Sequence, residues 1–151
     1  MNLREGFAAR DGRSNLKDTR GQTTLEFALI SVVLIVIVFG IIEGGRIFSS
    51  WLVITNEARE AARYGAVAVG DPSRQPTLVT DVQERVRQRT AGVLDQTRLT
   101  PTATLGSTDL TVQIDYNVEL FAAPLLAFLP NPVPLTAIST MRTEDGPVGG
   151  G

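Results

Sequence analysis

Residues Phe27–Ile42 read FALISVVLIVIVFGII: sixteen residues without a charge, with Ser31 the sole polar side chain. Adding Leu25 and the lone Glu26 gives an eighteen-residue stretch, long enough to cross a bilayer core as a helix. Its Val and Ile content would suit a strand in water. In lipid, a lone strand leaves its backbone groups unpaired, so the helix is the form that satisfies them. The stretch predicts a membrane-inserting helix rather than a buried core helix.

The flanks set the expected orientation. Residues 1–21 carry Arg4, Arg10, Arg13, Lys17 and Arg20 against Glu5, Asp11 and Asp18. A basic flank predicts a cytoplasmic N-terminus and an exported remainder. Past the apolar run stands Glu43-Gly44-Gly45-Arg46, which fits poorly the small-residue cleavage site of an ordinary secretory signal. On these features an uncleaved anchor is favoured over a conventional signal peptide.

The junction Arg20-Gly21-Gln22-Thr23-Thr24-Leu25-Glu26-Phe27 resembles the processing site of type IV pilin-like proteins. The Glu-Phe pair before a long apolar helix is similar, more specifically, to the TadE-like minor pilins of the tight-adherence pilus. Two further stretches carry the resemblance: Asn56–Ala66 (NEAREAARYGA) and Ser139–Glu144 (STMRTE). It implies removal of residues 1–21 by a prepilin peptidase cutting between Gly21 and Gln22. It implies an assembly role for Glu26 and Phe27, with the Glu26 carboxylate meeting the new α-amino group of a neighbouring subunit. The implied partners are the peptidase, other pilin subunits, the inner-membrane assembly machinery and, before assembly, lipid. The implied location is the cytoplasmic membrane, then a cell-surface pilus.

Glu26 is notable without the family. A carboxylate inside a membrane helix costs roughly 2.5–3.5 kcal/mol on insertion scales unless it is paired or near the interface. Gly40 and Gly44 form a small-xxx-small spacing that permits close approach of a second helix. Such spacings are also common by chance, and Gly weakens a helix interior by roughly 1 kcal/mol relative to Ala.

Beyond the apolar run, Ile47, Trp51, Ile54, Ala58, Ala61 and Gly65 recur at steps of four and three, marking one helical stripe. The expected helix spans residues 22–69, about 72 Å at 1.5 Å per residue, and residues 70–76 form a linker. Residues 77–145 make a small head. A second helix has Thr77 as N-cap, Gly92 past its end, and Val79, Val82 and Val86 on its buried face. Residues 110–120 alternate apolar and polar as a strand. Residues 99–105 and 135–143 are its expected partners, with Pro101 confining the first to an edge or a strand start. Phe121–Leu129 is an apolar turn or short helix that caps the core or touches a neighbouring subunit, and residues 146–151 form a flexible tail. The fold class is α+β: a long N-terminal membrane-inserting helix, then a head with a second helix and a mainly antiparallel sheet of about three strands.

Composition narrows the chemistry. With no His and no Cys, Ser-His-Asp and Cys-His catalysis, Cys/His zinc sites and disulfides are excluded. A net charge of −2 and a pI near 5.1 argue against nucleic acid as a partner, so Arg85, Arg87 and Arg89 read as a solvated helix face. Asp115 and Glu119 would lie ~13 Å apart along a strand, beyond the roughly 5–9.5 Å of paired glycosidase carboxyls. No catalytic residue, metal ligand or cofactor is expected. Two readings remain: a structural pilus subunit, or an uncleaved single-pass anchor presenting a ligand- or partner-binding head.

Overall fold

The computed structural model describes residues 15–71 and 73–143. Most of the leader (residues 1–14) and the tail (146–151) lie outside them. The element order is α1 (Asn15–Ala68), α2 (Leu78–Thr90), a 3-10 turn (Gln96–Arg98), β1 (Leu99–Leu105), β2 (Asp109–Val118) and β3 (Val133–Arg142). This is the α+β arrangement expected, with a long N-terminal apolar helix, a second helix and one antiparallel sheet ordered β1-β2-β3. The chain divides into two compact units, one ending at Phe39 and the other beginning at Gly40.

The described part of the first unit is helical, and its apolar side chains from Leu25 onward are largely uncovered. Leu25, Phe27 and Leu29 are each about 70 % exposed, and the most apolar stretch of the helix contains no buried residue. So much contiguous apolar surface is not stable against water. Ser31 fits this setting by donating its hydroxyl to the Phe27 carbonyl at 2.8 Å, which leaves no free hydroxyl on the helix surface there. α1 begins at Asn15 rather than at the expected Gln22. Residues 15–21 contain no proline, so the helical hydrogen-bond ladder can continue upstream.

The second unit is the head. The end of α1 supplies Ile54, Ala58, Ala61, Ala62 and Ala68 to its core, and Val69, just past the helix, joins them. The small side chains let the helix backbone come close. A Cβ added at Gly65 would stand 2.1 Å from Leu110 Cδ2 and 3.0 Å from Val82 Cγ2. β2 is the central strand, and Leu110, Val112, Ile114, Tyr116 and Val118 turn inward at every second position. Its polar positions face outward, where Thr111 and Thr140 share a 2.9 Å hydroxyl contact. Pro101 and Pro134 fall on β1 and β3, the two edges, where a missing N–H interrupts no inner ladder. A 2.9 Å ion pair between Arg89 and Glu57 joins α2 to α1.

Several local expectations are corrected. β2 ends at Val118, short of the expected residue 120, and β3 begins at Val133 rather than 135 because an edge strand tolerates Pro134. Thr77 does occupy the N-cap of α2. However, its hydroxyl contacts Asp81 Oδ2 (3.0 Å) and the Arg74 carbonyl rather than a helix amide. Gly92 lies past the end of α2 as expected, and the Thr90 carbonyl takes the N–H groups of Val93 and Leu94 there. Leu78, Val82 and Val86 are buried, while Val79 only borders the core. Trp51, expected on the buried stripe, is 42 % exposed and stacks on Phe48 with ring centroids 5.9 Å apart.

Candidate functional site

The residues singled out at the start of the apolar helix lie on successive turns of α1. Gly21, Gln22, Glu26 and Phe27 are all exposed. No atom approaches within 4 Å of the position a Gly21 Cβ would take, so the backbone there is open on its side-chain face. The Gly21–Gln22 peptide bond lies within the helix. Gln22 Nε2 donates to Glu26 Oε1 at 3.2 Å, one turn apart. The carboxylate thus has a neutral polar partner within its own chain.

Gly40 and Gly44 stand one turn apart at the opposite end of the apolar run. Neither has an atom within 4 Å of a built Cβ. The close approach that their spacing permits is not used by the described residues of this chain.

The most elaborate polar arrangement was not foreseen in the sequence. Glu43, the first residue after the apolar run, is 2 % exposed. The Ala122 backbone N–H donates to its Oε1 at 2.9 Å, and Arg46 Nη1 donates to its Oε2 at 2.7 Å. The Arg46 guanidinium lies 4.0 Å above the Phe121 ring and also reaches the Glu119 carbonyl at 3.5 Å. Burial works against charge on Glu43. The backbone N–H groups of Ala122 and Phe121 and the Arg46 guanidinium outweigh it and hold the carboxyl below its ordinary value. The Glu43/Arg46 spacing of one turn was legible, but the partner 79 residues further on carried no signal. The arrangement pins the Phe121–Leu129 segment to α1; it offers no nucleophile and no base poised beside an open site.

The apolar helix with Gly21 and Glu26 at its entry is the portion that a comparison with known families recovers. Residues 21–63 match the TadE-like protein family. The TadE-like segment takes in Gly21, Gln22, Glu26, Phe27, Gly40, Glu43, Gly44 and Arg46, and it ends before α2 and the sheet. It relates the chain to the tight-adherence pilus, and hence, at a coarse level, to other pilus subunits. The long exposed apolar helix suits membrane anchoring, as the TadE-like match suits a cell-surface pilus. No curated protein and no solved structure gives a significant match.

Proposed function

We propose that the chain is a structural, non-enzymatic subunit of a tight-adherence or type IV-type pilus, cut by a prepilin peptidase after Gly21 and built into the filament through its apolar helix. The observation that carries this reading is the TadE-like match over an uncovered apolar helix, with Glu26 five residues past Gly21. A cut at Gly21 makes the Gln22 nitrogen a charged amine one turn from Glu26. In the precursor the carboxylate takes a neutral amide; in the mature chain it is available to an ammonium group on a neighbouring copy. Such a pair would offset the cost of holding both charges in an apolar bundle. The head would travel outward with the helix and face the cell exterior.

The test is the intact mass of surface-exposed protein. A mature chain starting at Gln22 supports the reading, and Gly21→Val should accumulate full-length precursor, since a β-branched side chain would block close approach to the backbone. Surface protein that still begins at Met1 would favour the uncleaved anchor, a reading that the unbroken helix across Gly21 also accommodates.

A further inference from the structure

The segment from Leu120 to Leu129 leaves β2, turns beside α1 and exposes large apolar side chains. Phe121 is 81 % exposed and Phe128 75 %, with Leu125 and Leu129 also uncovered. No charged residue occurs between Leu120 and Met141. Its position along α1 is fixed by Glu43, whose carboxylate holds the Ala122 N–H. Glu43 directly follows Ile41 and Ile42, both exposed and both part of the apolar run.

We infer that this loop is a second membrane contact: Phe121 and Phe128 enter the headgroup layer of the bilayer that holds the apolar helix, on the head's side. The inference rests on the membrane-anchored reading above and adds a lipid-binding surface to the head. Depth is the first argument. If the hydrocarbon ends near Ile42, the headgroup layer occupies roughly the next 5–7 Å. Ala122, hydrogen-bonded to Glu43, and Phe121, beneath the Arg46 guanidinium, lie at that level.

Backbone chemistry is the second argument. Each N–H group bonded within the chain lowers the cost of bringing a loop toward the hydrocarbon. The N–H of Leu120 goes to Asn131 Oδ1 and that of Ala122 to Glu43. Those of Leu125, Leu126 and Leu129 are bonded within the loop, and Pro124 and Pro130 have none. The nearest charges are also partnered: Arg46 with Glu43, and Glu119 with Arg98. The remaining N–H groups, those of Ala123, Ala127 and Phe128, are left to the hydrated headgroup layer, and Phe and Leu side chains are ones that settle at the headgroup–acyl boundary.

The experiment uses the full chain in phosphatidylcholine vesicles without brominated lipid, with lipid brominated near the headgroup, and with lipid brominated deeper in the acyl chain. Trp51→Phe removes the sole tryptophan, and single reporters are then placed by Phe128→Trp, Ile35→Trp and Val93→Trp. Val93 follows Arg89, which pairs with Glu57, about 21 Å along α1 from Glu43. The expected result is that the reporter at 128 is blue-shifted and loses most of its emission to bromolipid, while the one at 93 does not. A reporter at 128 that is unquenched while that at 35 is quenched (with the deeper-brominated lipid) overturns the loop contact and leaves the anchor standing. Loss of quenching at 35 as well overturns both. A blue shift at 128 that ignores bromolipid but grows with protein concentration assigns the face to a second copy and equally overturns the proposal.

Discussion

Glu43 Oε1 accepts the Ala122 N–H at 2.9 Å, tying the end of the apolar run to a loop 79 residues away. The donors around this buried carboxylate favour its ionised form, and its behaviour with pH follows. The folded-state value lies below the ordinary 4.5 of a glutamate. The stabilisation is therefore fully present above that ordinary value and is lost as pH falls through the lowered one.

Glu43→Gln keeps an acceptor for Ala122 but loses the charge. It should be about 1 kcal/mol less stable at neutral pH, the difference between a charged and a neutral hydrogen bond. Thermal unfolding in detergent, followed from pH 7 downward, should show the wild-type advantage shrinking below pH 4.5. A constant gap across that range would mean that the carboxylate is not ionised in the fold.

Gly65→Ala sets two effects against each other. Alanine gains roughly 1 kcal/mol of helix propensity. Its methyl group would stand 2.1 Å from Leu110, which is fully buried and has little room to withdraw. Overpacking of this kind costs roughly 1–3 kcal/mol, so the variant should melt lower than wild type by an amount equivalent to about 1 kcal/mol. Gly92→Ala, with no atom within 4 Å, should leave the melting temperature unchanged or slightly raised.

What the sequence disclosed and what it withheld divide along contact range. The period-two alternation from Leu110 to Val118 identified the central strand, because that strand buries one whole face. The Ala-rich steps from Ile54 to Gly65 identified the stripe of α1 that enters the core, because the helix period alone sets that face. Trp51 shares the same period, yet its exposure depends on where the head's cover stops. The fully buried apolar positions of α1 begin at Ile54, Ile47 and Val53 are only partly covered by the core, and near Glu43 the cover comes from the loop at Ala122. Glu43 looked like the boundary charge of an apolar run because its stabilising donor comes from a remote backbone N–H, which no side-chain pattern encodes.

Because α1 supplies a wall of the head's core, shortening it should be costly. A fragment starting at Thr77 loses Ile54, Ala58, Ala61, Ala62 and Gly65 and uncovers Leu110 and Val82. A core of this size seldom yields more than ~3–5 kcal/mol even when complete. A fragment starting at Phe48 should show a cooperative thermal transition, and one starting at Thr77 should not. Equal transitions would show that α1 does not dock.

Glu26→Val separates cleavage from assembly. The residue lies five positions past Gly21, so precursor processing should proceed. Removing a lone carboxylate makes the monomer easier to hold in lipid, whereas the amine created at Gln22 loses its counter-charge. Mature protein should accumulate in the membrane fraction and be missing from sheared filaments by immunoblot. Wild-type levels in filaments would reduce Glu26 to an interfacial residue.

The order of the elements also dictates an order of events on the ribosome. Residues 54–69 are made before anything that covers them, and the last strand is complete only at Arg142. About 73 further residues must be translated, on the order of 4–15 s at about 5–20 residues per second. For that interval the inner face of α1 waits without its partners. Apart from Ile54 and Val69 that face is built of Ala58, Ala61, Ala62, Gly65 and Ala68 rather than of leucines, so the nascent chain displays less sticky surface while the sheet is still unmade.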